Sequence, residues 1–210
     1  MSSMTQAKEP LPQDKQAAIR YEAALLKEHP WIAPPLLRKR IDTVMNENSG
    51  TTSKRRKLYQ IIDEASAAIY PNSACRGVGC SHCCKTSVMI RQAEADAIGK
   101  KIGRTARKVA IRDPEKIKGL AFDEKYAGSA CPFLVDEKCS VYDVRPYVCR
   151  QAHSLNASPD QCDTSKVKAS ESCVIHFDLT HLEFAMSHVC GASGDALGDI
   201  REFFPTLHTI

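Results

Sequence analysis

The sequence lacks the features that mark membrane-spanning and secreted proteins. It contains no run of roughly eighteen apolar residues, which a membrane-spanning helix requires. Its first ten residues are polar and include no apolar core of a secretory signal. We therefore expect a cytoplasmic protein with no membrane partner. In that reducing compartment, clustered thiols are more often metal ligands than disulfides.

Several signatures of catalysis and of nucleic-acid binding are absent as well. The sequence contains no glycine-rich phosphate loop, no nucleophile elbow and no His-Glu-x-x-His helix, so an independent hydrolase is poorly supported. The net charge of +4 is mild and does not by itself indicate a nucleic-acid partner. Basic runs at 38–40, 54–57 and 104–112 have few aromatic residues between them on which bases could stack. We expect no nucleic-acid partner, and no protein partner is indicated.

Cysteine, by contrast, is abundant and clustered. The chain has 10 cysteines among 210 residues, and four of them lie within residues 75–84. The spacing Cys80-x2-Cys83 lets one tight turn aim two sulfur atoms at one point, as in zinc knuckles and iron–sulfur loops. Glycines at 77 and 79 suit such a loop because glycine readily adopts positive φ. This density favours metal ligation over buried structural thiols.

A second cysteine-rich stretch follows further along the chain. Residues 131–149 contribute three more thiols, and the polar residues 136–138 between two apolar runs predict a turn. Cys131 and Cys139 should therefore lie near each other across a short hairpin. Close thiolates repel one another and stay protonated unless a cation holds them, so we expect the two stretches to meet around a metal.

The two stretches resemble the YkgJ-like cysteine-cluster family. The shared pattern is C-x2-C-C followed by C-P-F-L-x4-C-S-V-Y-x2-R-P-x2-C-R, at 80–84 and 131–150. The first cysteine of that family lies closer to the next than here, where four residues separate Cys75 from Cys80. The resemblance implies a zinc- or iron-chelating domain. Flagellin lysine methylases carry a similar cysteine domain, which implies a methyl-transfer role by analogy alone.

We predict seven cysteine ligands for zinc, iron or an iron–sulfur cluster. A single zinc ion takes four ligands, and a cubane cluster commonly takes four cysteines, so seven thiols exceed either need. The side chains of the adjacent Cys83 and Cys84 tend to diverge. Three arrangements stay open: two metals sharing a thiolate, one site plus structural thiols, or one site plus redox-active thiols. The predicted ligands are Cys80, Cys83, Cys84, Cys131, Cys139 and Cys149, followed by Cys75.

Other residues around these stretches receive secondary interpretations. Cys162, Cys173 and Cys190 lie outside the family pattern, and we interpret them as structural thiols. Tyr142 and Tyr147 are expected to pack around the site. Four flanking basic residues are expected to offset negative charge or donate hydrogen bonds to sulfur: Arg76, Lys85, Arg145 and Arg150.

Three histidines are weaker candidates. His82 lies inside the first cysteine stretch. It is either an exposed loop residue or a metal ligand, and the sequence leaves both interpretations open. His181 and His188 are seven residues apart and share a predicted helical face with Phe177 and Phe184. We interpret that face as packed and partly polar. If the helix covers the cysteines, His181 is the histidine to test first.

The remaining chain shows mainly helical periodicity. We predict a mostly α fold, an irregular helical domain with a small β-hairpin around a cysteine-ligated metal site. Residues 1–52 are expected to form an N-terminal helical arm, and residues 53–210 the metal-binding domain with its C-terminal helices. The predicted elements are helices at 13–28, from 34, at 54–70 capped by Ser53, a strand at 86–90, and helices at 91–102, 104–111, from 158, 171–189 and 195–204.

The function can be of two classes. In the first, the metal is structural or carried, and the protein is a binding module. In the second, the protein is an iron–sulfur-dependent enzyme of redox or protein lysine methylase type. The sequence leaves open whether the protein is an enzyme.

Overall fold

The computed structural model describes residues 9–76, 80–110, 124–168, 171–191 and 195–205. The described chain is mostly helical with two short antiparallel strand pairs, so the predicted fold class is confirmed. None of its helices combines the length and apolar content needed to cross a bilayer. The helices and strands are α1 Pro12–Glu28, α2 Pro34–Met45, α3 Thr51–Ile69, β1 Met89–Arg91, α4 Gln92–Ile102, β2 Leu134–Val135, β3 Lys138–Cys139, α5 Tyr147–Gln151, α6 Thr180–Gly191, β4 Leu197–Asp199 and α7 Ile200–Phe203.

The first core lies between α1, α2, α3 and α6. Proline occupies the first position of both α1 and α2, where its missing N–H costs nothing. Leu25, Ile41, Leu58 and Leu182 bring these four helices together. Helix α3 begins earlier than predicted, with Gly50 at its N-cap, so Ser53 does not cap it. Residues on both sides of position 52 line this core, and the division into arm and domain stays a prediction.

The second core is built around the pairing of β1 with β4. Ile90 lies opposite Gly198 in this antiparallel pair, which joins the chain after the first cysteine stretch to the C-terminal segment. Ile98 and Phe203 fill the space beneath it. Four cysteines lie in this core or pack against it: Cys84, Cys131, Cys139 and Cys149. The C-terminal segment thus supports both cysteine stretches.

The predicted helix at 195–204 is wrong, because the segment is a strand followed by a single helical turn. The Asp199 side chain accepts the backbone N–H of Arg201 and caps this turn, so the helix cannot extend towards residue 195. A Cβ at Gly198 would lie 3.3 Å from the Phe203 ring, and this close approach favours glycine.

The predicted helix at 104–111 is also wrong over its described part, since residues 104–110 form no helix. Gly103 ends α4 with φ 67°, and the chain then folds back across Gly99, where a Cβ would collide with the Arg104 carbonyl. Arg107 N–H donates to Phe203 O at 3.0 Å. Tertiary hydrogen bonds therefore replace helical ones; position 111 lies outside the described residues.

The C-terminal helix is shorter than the predicted 171–189. It begins at Thr180, and residues 172–179 run beside residues 154–156 instead. Leu155 N–H donates to Ile175 O at 2.8 Å, and Ile175 N–H donates to the Asn156 side chain at 2.8 Å. The predicted helix from residue 158 is only one short 3-10 turn, Pro159–Cys162.

A buried histidine in the first core should make stability depend on pH. His153 is 6 % exposed, its Nε2 lies 2.8 Å from Ser66 Oγ, and burial lowers its pKa to about 4. Between pH 6.5 and about 4 the unfolded chain therefore binds more protons at this site than the folded chain. The stabilisation is full above pH 6.5 and is lost as the pH falls, by up to about 3 kcal/mol.

Urea unfolding at several pH values between 6.5 and 4.5 checks this. The His153→Gln variant should show a shallower fall in the free energy of unfolding than the wild-type chain, because glutamine does not titrate. His188→Gln, at an exposed position, is the matched control and should keep the wild-type slope. Equal slopes for all three proteins would contradict the prediction.

Candidate metal centre

The first cysteine stretch forms a tight turn that presents its thiols side by side. Residues His82–Lys85 make a 3-10 turn in which Cys84 N–H donates to Ser81 O at 2.9 Å. Thr86 Oγ1 donates to Cys83 O at 3.0 Å and closes the turn. The glycines at 77 and 79, which were predicted to let the loop adopt positive φ, lie outside the described residues.

The two cysteine stretches meet through direct hydrogen bonds. Cys131 N–H donates to Cys84 O at 2.7 Å, and Gly128 N–H donates to Lys85 O at 2.8 Å. On the other side, Glu137 accepts from the Ser81 hydroxyl, and its Oε2 lies 3.3 Å from Lys85 Nζ. These contacts join segments that are far apart in sequence, as the predicted metal site requires.

The predicted hairpin turn is confirmed. Strands β2 and β3 pair with Leu134 opposite Cys139, and the two residues between the strands, Asp136 and Glu137, have φ of 48° and 56°. Positive φ at both turn positions matches the right-handed twist of the flanking strands. The hairpin therefore brings Cys139, at the end of β3, back towards Cys131, which lies just before β2.

Cys149 is positioned by helix α5, and a buried glutamate anchors this helix. Glu94 Oε1 accepts Tyr147 N–H at 2.8 Å and the Tyr59 hydroxyl at 2.6 Å, so α5 is fixed to both α3 and α4. Arg150 pairs with Asp63 on α3. The sequence does not predict this anchoring role, because Glu94 looks like any single glutamate in a helix.

Cys84, Cys131, Cys139 and Cys149 form a mutually interacting group, called here the first thiol group. Burial raises the pKa of Cys131 to about 11 and also raises the pKa values of Cys139 and Cys149. Every pair within the group is close enough that a thiolate on one member raises the pKa of another. The four thiols cannot all ionise unless a cation balances them.

Cys84 is the member of this group that ionises most easily. A hydrogen bond from Cys83, supported by the charges of Arg201 and Lys85, lowers the pKa of Cys84 to about 7. The same hydrogen bond raises the pKa of Cys83. At neutral pH the group therefore already offers one thiolate, the form that binds metals.

Arg201 clamps the loops that carry these cysteines. Its buried guanidinium donates to Cys84 O at 3.3 Å, to Thr86 O at 3.2 Å and to Ser129 O, and it pairs with Asp199 at 3.0 Å. It thus holds the backbone at the end of the first stretch and immediately before the second, from a position about fifty residues beyond them. Nothing in the sequence around position 201 indicates this role.

Three further thiols form a second thiol group beside the first. Cys75 is hydrogen-bonded to Cys80, and its sulfur accepts Ser154 N–H at 3.4 Å. Burial and the nearby charges of Cys75 and Cys80 raise the pKa of Cys162 to about 12. Cys83 interacts with Cys84 and Cys149 of the first group as well as with Cys75, so it lies between the two groups.

Two joined cysteine stretches of this pattern are characteristic of a known domain. Residues 74–174 match the family model CxxCxxCC, described as “Putative zinc- or iron-chelating domain”. This part of the chain, just under half of its length, resembles a CxxCxxCC domain, and its thiols are called here the CxxCxxCC site. The match confirms the resemblance drawn from the sequence and extends it past residue 150 to include Cys162 and Cys173. No curated protein and no solved structure matches the chain.

Of the four basic residues predicted to support the CxxCxxCC site, two do so. Lys85 lowers the pKa of Cys84, and the nearby charge of Arg145 opposes the rise in the pKa of Cys139. Arg150 instead pairs with Asp63, and Arg76 lies 6.0 Å from the ring centre of Tyr21. Arg201 supplies a further positive charge near Cys84 and Cys131.

The two tyrosines differ in their relation to the thiols, since Tyr142 lines a small cavity together with Cys139 and Tyr147 lies in the first core. Tyr142 is exposed and stacks under Arg145 at 3.7 Å, and Tyr147 is buried in the first core.

The predicted histidine face does not reach the CxxCxxCC site. Helix α6 packs on α2 and α3, and His181, His188 and Phe184 are exposed on it. Phe177 precedes the helix and is buried in the first core, where Cys190 also lies. His82 is the histidine near the thiols, and its Nδ1 lies 3.9 Å from Asp163 Oδ1.

The donor chemistry of the CxxCxxCC site fits a metal, although the side chains are not yet gathered around one point. Within the described ranges, no three His, Cys, Asp or Glu side chains are arranged to hold an ion as they stand. Thiolates are the soft ligands that zinc, copper(I) and iron–sulfur clusters select. The raised pKa values of Cys131, Cys139 and Cys149 describe thiols that need a cation before they ionise. Metal binding would therefore draw the sulfur atoms together and release protons.

Proposed function

We propose that the chain chelates zinc or an iron–sulfur cluster through thiolates from both cysteine stretches. The observation that carries this proposal is the first thiol group, in which four buried or half-buried sulfurs interact pairwise within one core. Four is the ligand number of a tetrahedral zinc site and of a cubane cluster. Cys75, Cys80 and Cys83 complete the seven proposed ligands.

The surrounding residues have defined roles in this proposal. Cys84 binds first, because its pKa of about 7 makes it the readiest thiolate. The positive charges of Arg201, Lys85 and Arg145 offset part of the negative charge that accumulates as further thiols ionise. The bound ion would tie the turn at residues 82–85 to the hairpin and to α5.

A binding module is favoured over an enzyme by the surface beside the thiols. The cavity next to Cys139, lined also by Lys101 and Tyr142, has a volume of about 120 Å³. Sites for small-molecule substrates commonly measure about 300–1,000 Å³. This cavity is too small to admit a peptide or a cofactor.

Anaerobic purification followed by metal analysis and a visible spectrum tests the proposal. A colourless protein with stoichiometric zinc identifies a zinc site, and a brown protein with iron and acid-labile sulfide identifies a cluster. Cys149→Ser should lose at least about half of the wild-type metal, because it removes a ligand of the first thiol group. Cys173→Ser is the matched control and should retain all of it. A wild-type protein that binds neither zinc nor iron contradicts the proposal.

A further inference from the structure

Cys162 is held against the first cysteine stretch by tertiary packing. The 3-10 turn Pro159–Cys162 packs on the turn His82–Lys85, and the adjoining Asp163 faces His82 at 3.9 Å. Ser158 caps the turn by accepting Asp160 N–H at 3.3 Å. A capped turn fixes the direction in which its last residue, Cys162, projects.

Ser154 connects Cys162 to Cys75. It is 1 % exposed, its N–H donates to Cys75 Sγ at 3.4 Å, and its hydroxyl is hydrogen-bonded with Cys162. Asn156 holds Ser154 in place by accepting from its hydroxyl at 2.9 Å. Cys75 is in turn hydrogen-bonded to Cys80, so Ser154 connects Cys162 directly to Cys75 and through it to Cys80. A serine that contacts two sulfur atoms is an outer hydrogen-bond partner of the kind that orients metal ligands.

We propose that Cys75, Cys80, Cys83 and Cys162 form a second metal-binding group, in which Cys162 is a ligand beyond the seven predicted. This inference rests on the proposed function, since it assigns more ligands to the same metal-chelating domain. Eight thiols then divide into two sets of four, each sufficient for one tetrahedral zinc ion. The division accounts for the surplus of thiols and assigns the adjacent Cys83 and Cys84 to different ions.

Zinc stoichiometry tests the inference. The reduced wild-type chain, loaded anaerobically with zinc and freed of excess, should hold about two zinc ions. Cys162→Ser and Cys149→Ser should each hold about one, because each removes a ligand of a different group. Cys173→Ser should hold as much zinc as the wild-type chain. Circular dichroism of each variant checks that it is folded.

Alkylation of the wild-type chain provides a second readout that does not require a variant. With zinc bound, N-ethylmaleimide should label Cys162 at least about tenfold more slowly than without zinc, since a coordinated thiolate is shielded. The labelling rate of Cys173 should not change. A single zinc ion in both wild type and Cys162→Ser, with Cys162 labelled equally fast with and without zinc, overturns the second group and leaves the proposed function standing. A wild-type chain that takes up no zinc and no iron overturns both.

Discussion

Removal of the metal is expected to lower the free energy of unfolding by about 4 kcal/mol. A metal that joins Cys84 to Cys131 closes a loop of roughly fifty residues, and a cross-link of that length restricts the unfolded chain by about this amount. Because Cys131, Cys139 and Cys149 need a cation before they ionise, binding and folding are coupled. For a chain of this size the loss corresponds to a fall in melting temperature of about 10 °C.

Thermal unfolding with and without a chelator measures this effect. Adding zinc back to the chelated protein should restore the original transition, which separates loss of metal from irreversible damage. Cys149→Ser should already melt at a lower temperature and should respond less to the chelator than the wild-type chain, whereas Cys173→Ser should behave as the wild-type chain does. An unchanged transition after complete metal removal would mean that the ion does not join the two stretches.

Short sequence patterns correctly predicted the helices and the turn that are determined by interactions between residues close together in the chain. Apolar residues at helical spacing predicted α1 and α3, and two prolines followed by such residues predicted α2, each to within a few positions. The turn at residues 136–137 followed from polar residues between two apolar runs. In each case the interactions that decide the structure are made by residues close together in the chain.

The wrong predictions fall where distant partners decide the backbone. Residues 104–110, 172–179 and 195–199 have sequences compatible with helix, yet each bonds to a segment far away in the chain. Weak helix propensity gives way to such tertiary hydrogen bonds. No pattern within any of these segments reveals the partner it meets.

The candidate metal site likewise has features that the sequence predicted and features that it missed. The clustering of cysteine predicted that the two stretches would meet, and hydrogen bonds between Cys131 and Cys84 join them. The supporting residues Glu94 and Arg201 were missed because single charged residues in helical patterns are commonly exposed. Cys162 was interpreted as structural because its relation to Cys75 depends on how the chain folds back at Ser154.

Replacing Arg201 should strongly lower the free energy of unfolding. Arg201→Met would leave Asp199 buried without its positive partner. It would also remove the guanidinium hydrogen bonds to Thr86 O, to Ser129 O and to Cys84 O, the last of which still accepts Cys131 N–H. Removing one member of a buried ion pair costs about 3–5 kcal/mol. Urea unfolding should show this loss as a lower midpoint at unchanged slope.

Two companion variants make the Arg201 test specific. Arg201→Lys keeps a positive charge but cannot reach several carbonyls at once, so its midpoint should lie between those of Arg201→Met and wild type. Arg38→Met, at an exposed arginine 3.8 Å from Asp42, should change the free energy of unfolding by less than about 1 kcal/mol. Because Arg201 joins the end of the first cysteine stretch to the residues just before the second, Arg201→Met should also bind zinc more weakly than Arg38→Met does. Wild-type stability together with wild-type zinc affinity in Arg201→Met would show that the two stretches are held together without this clamp.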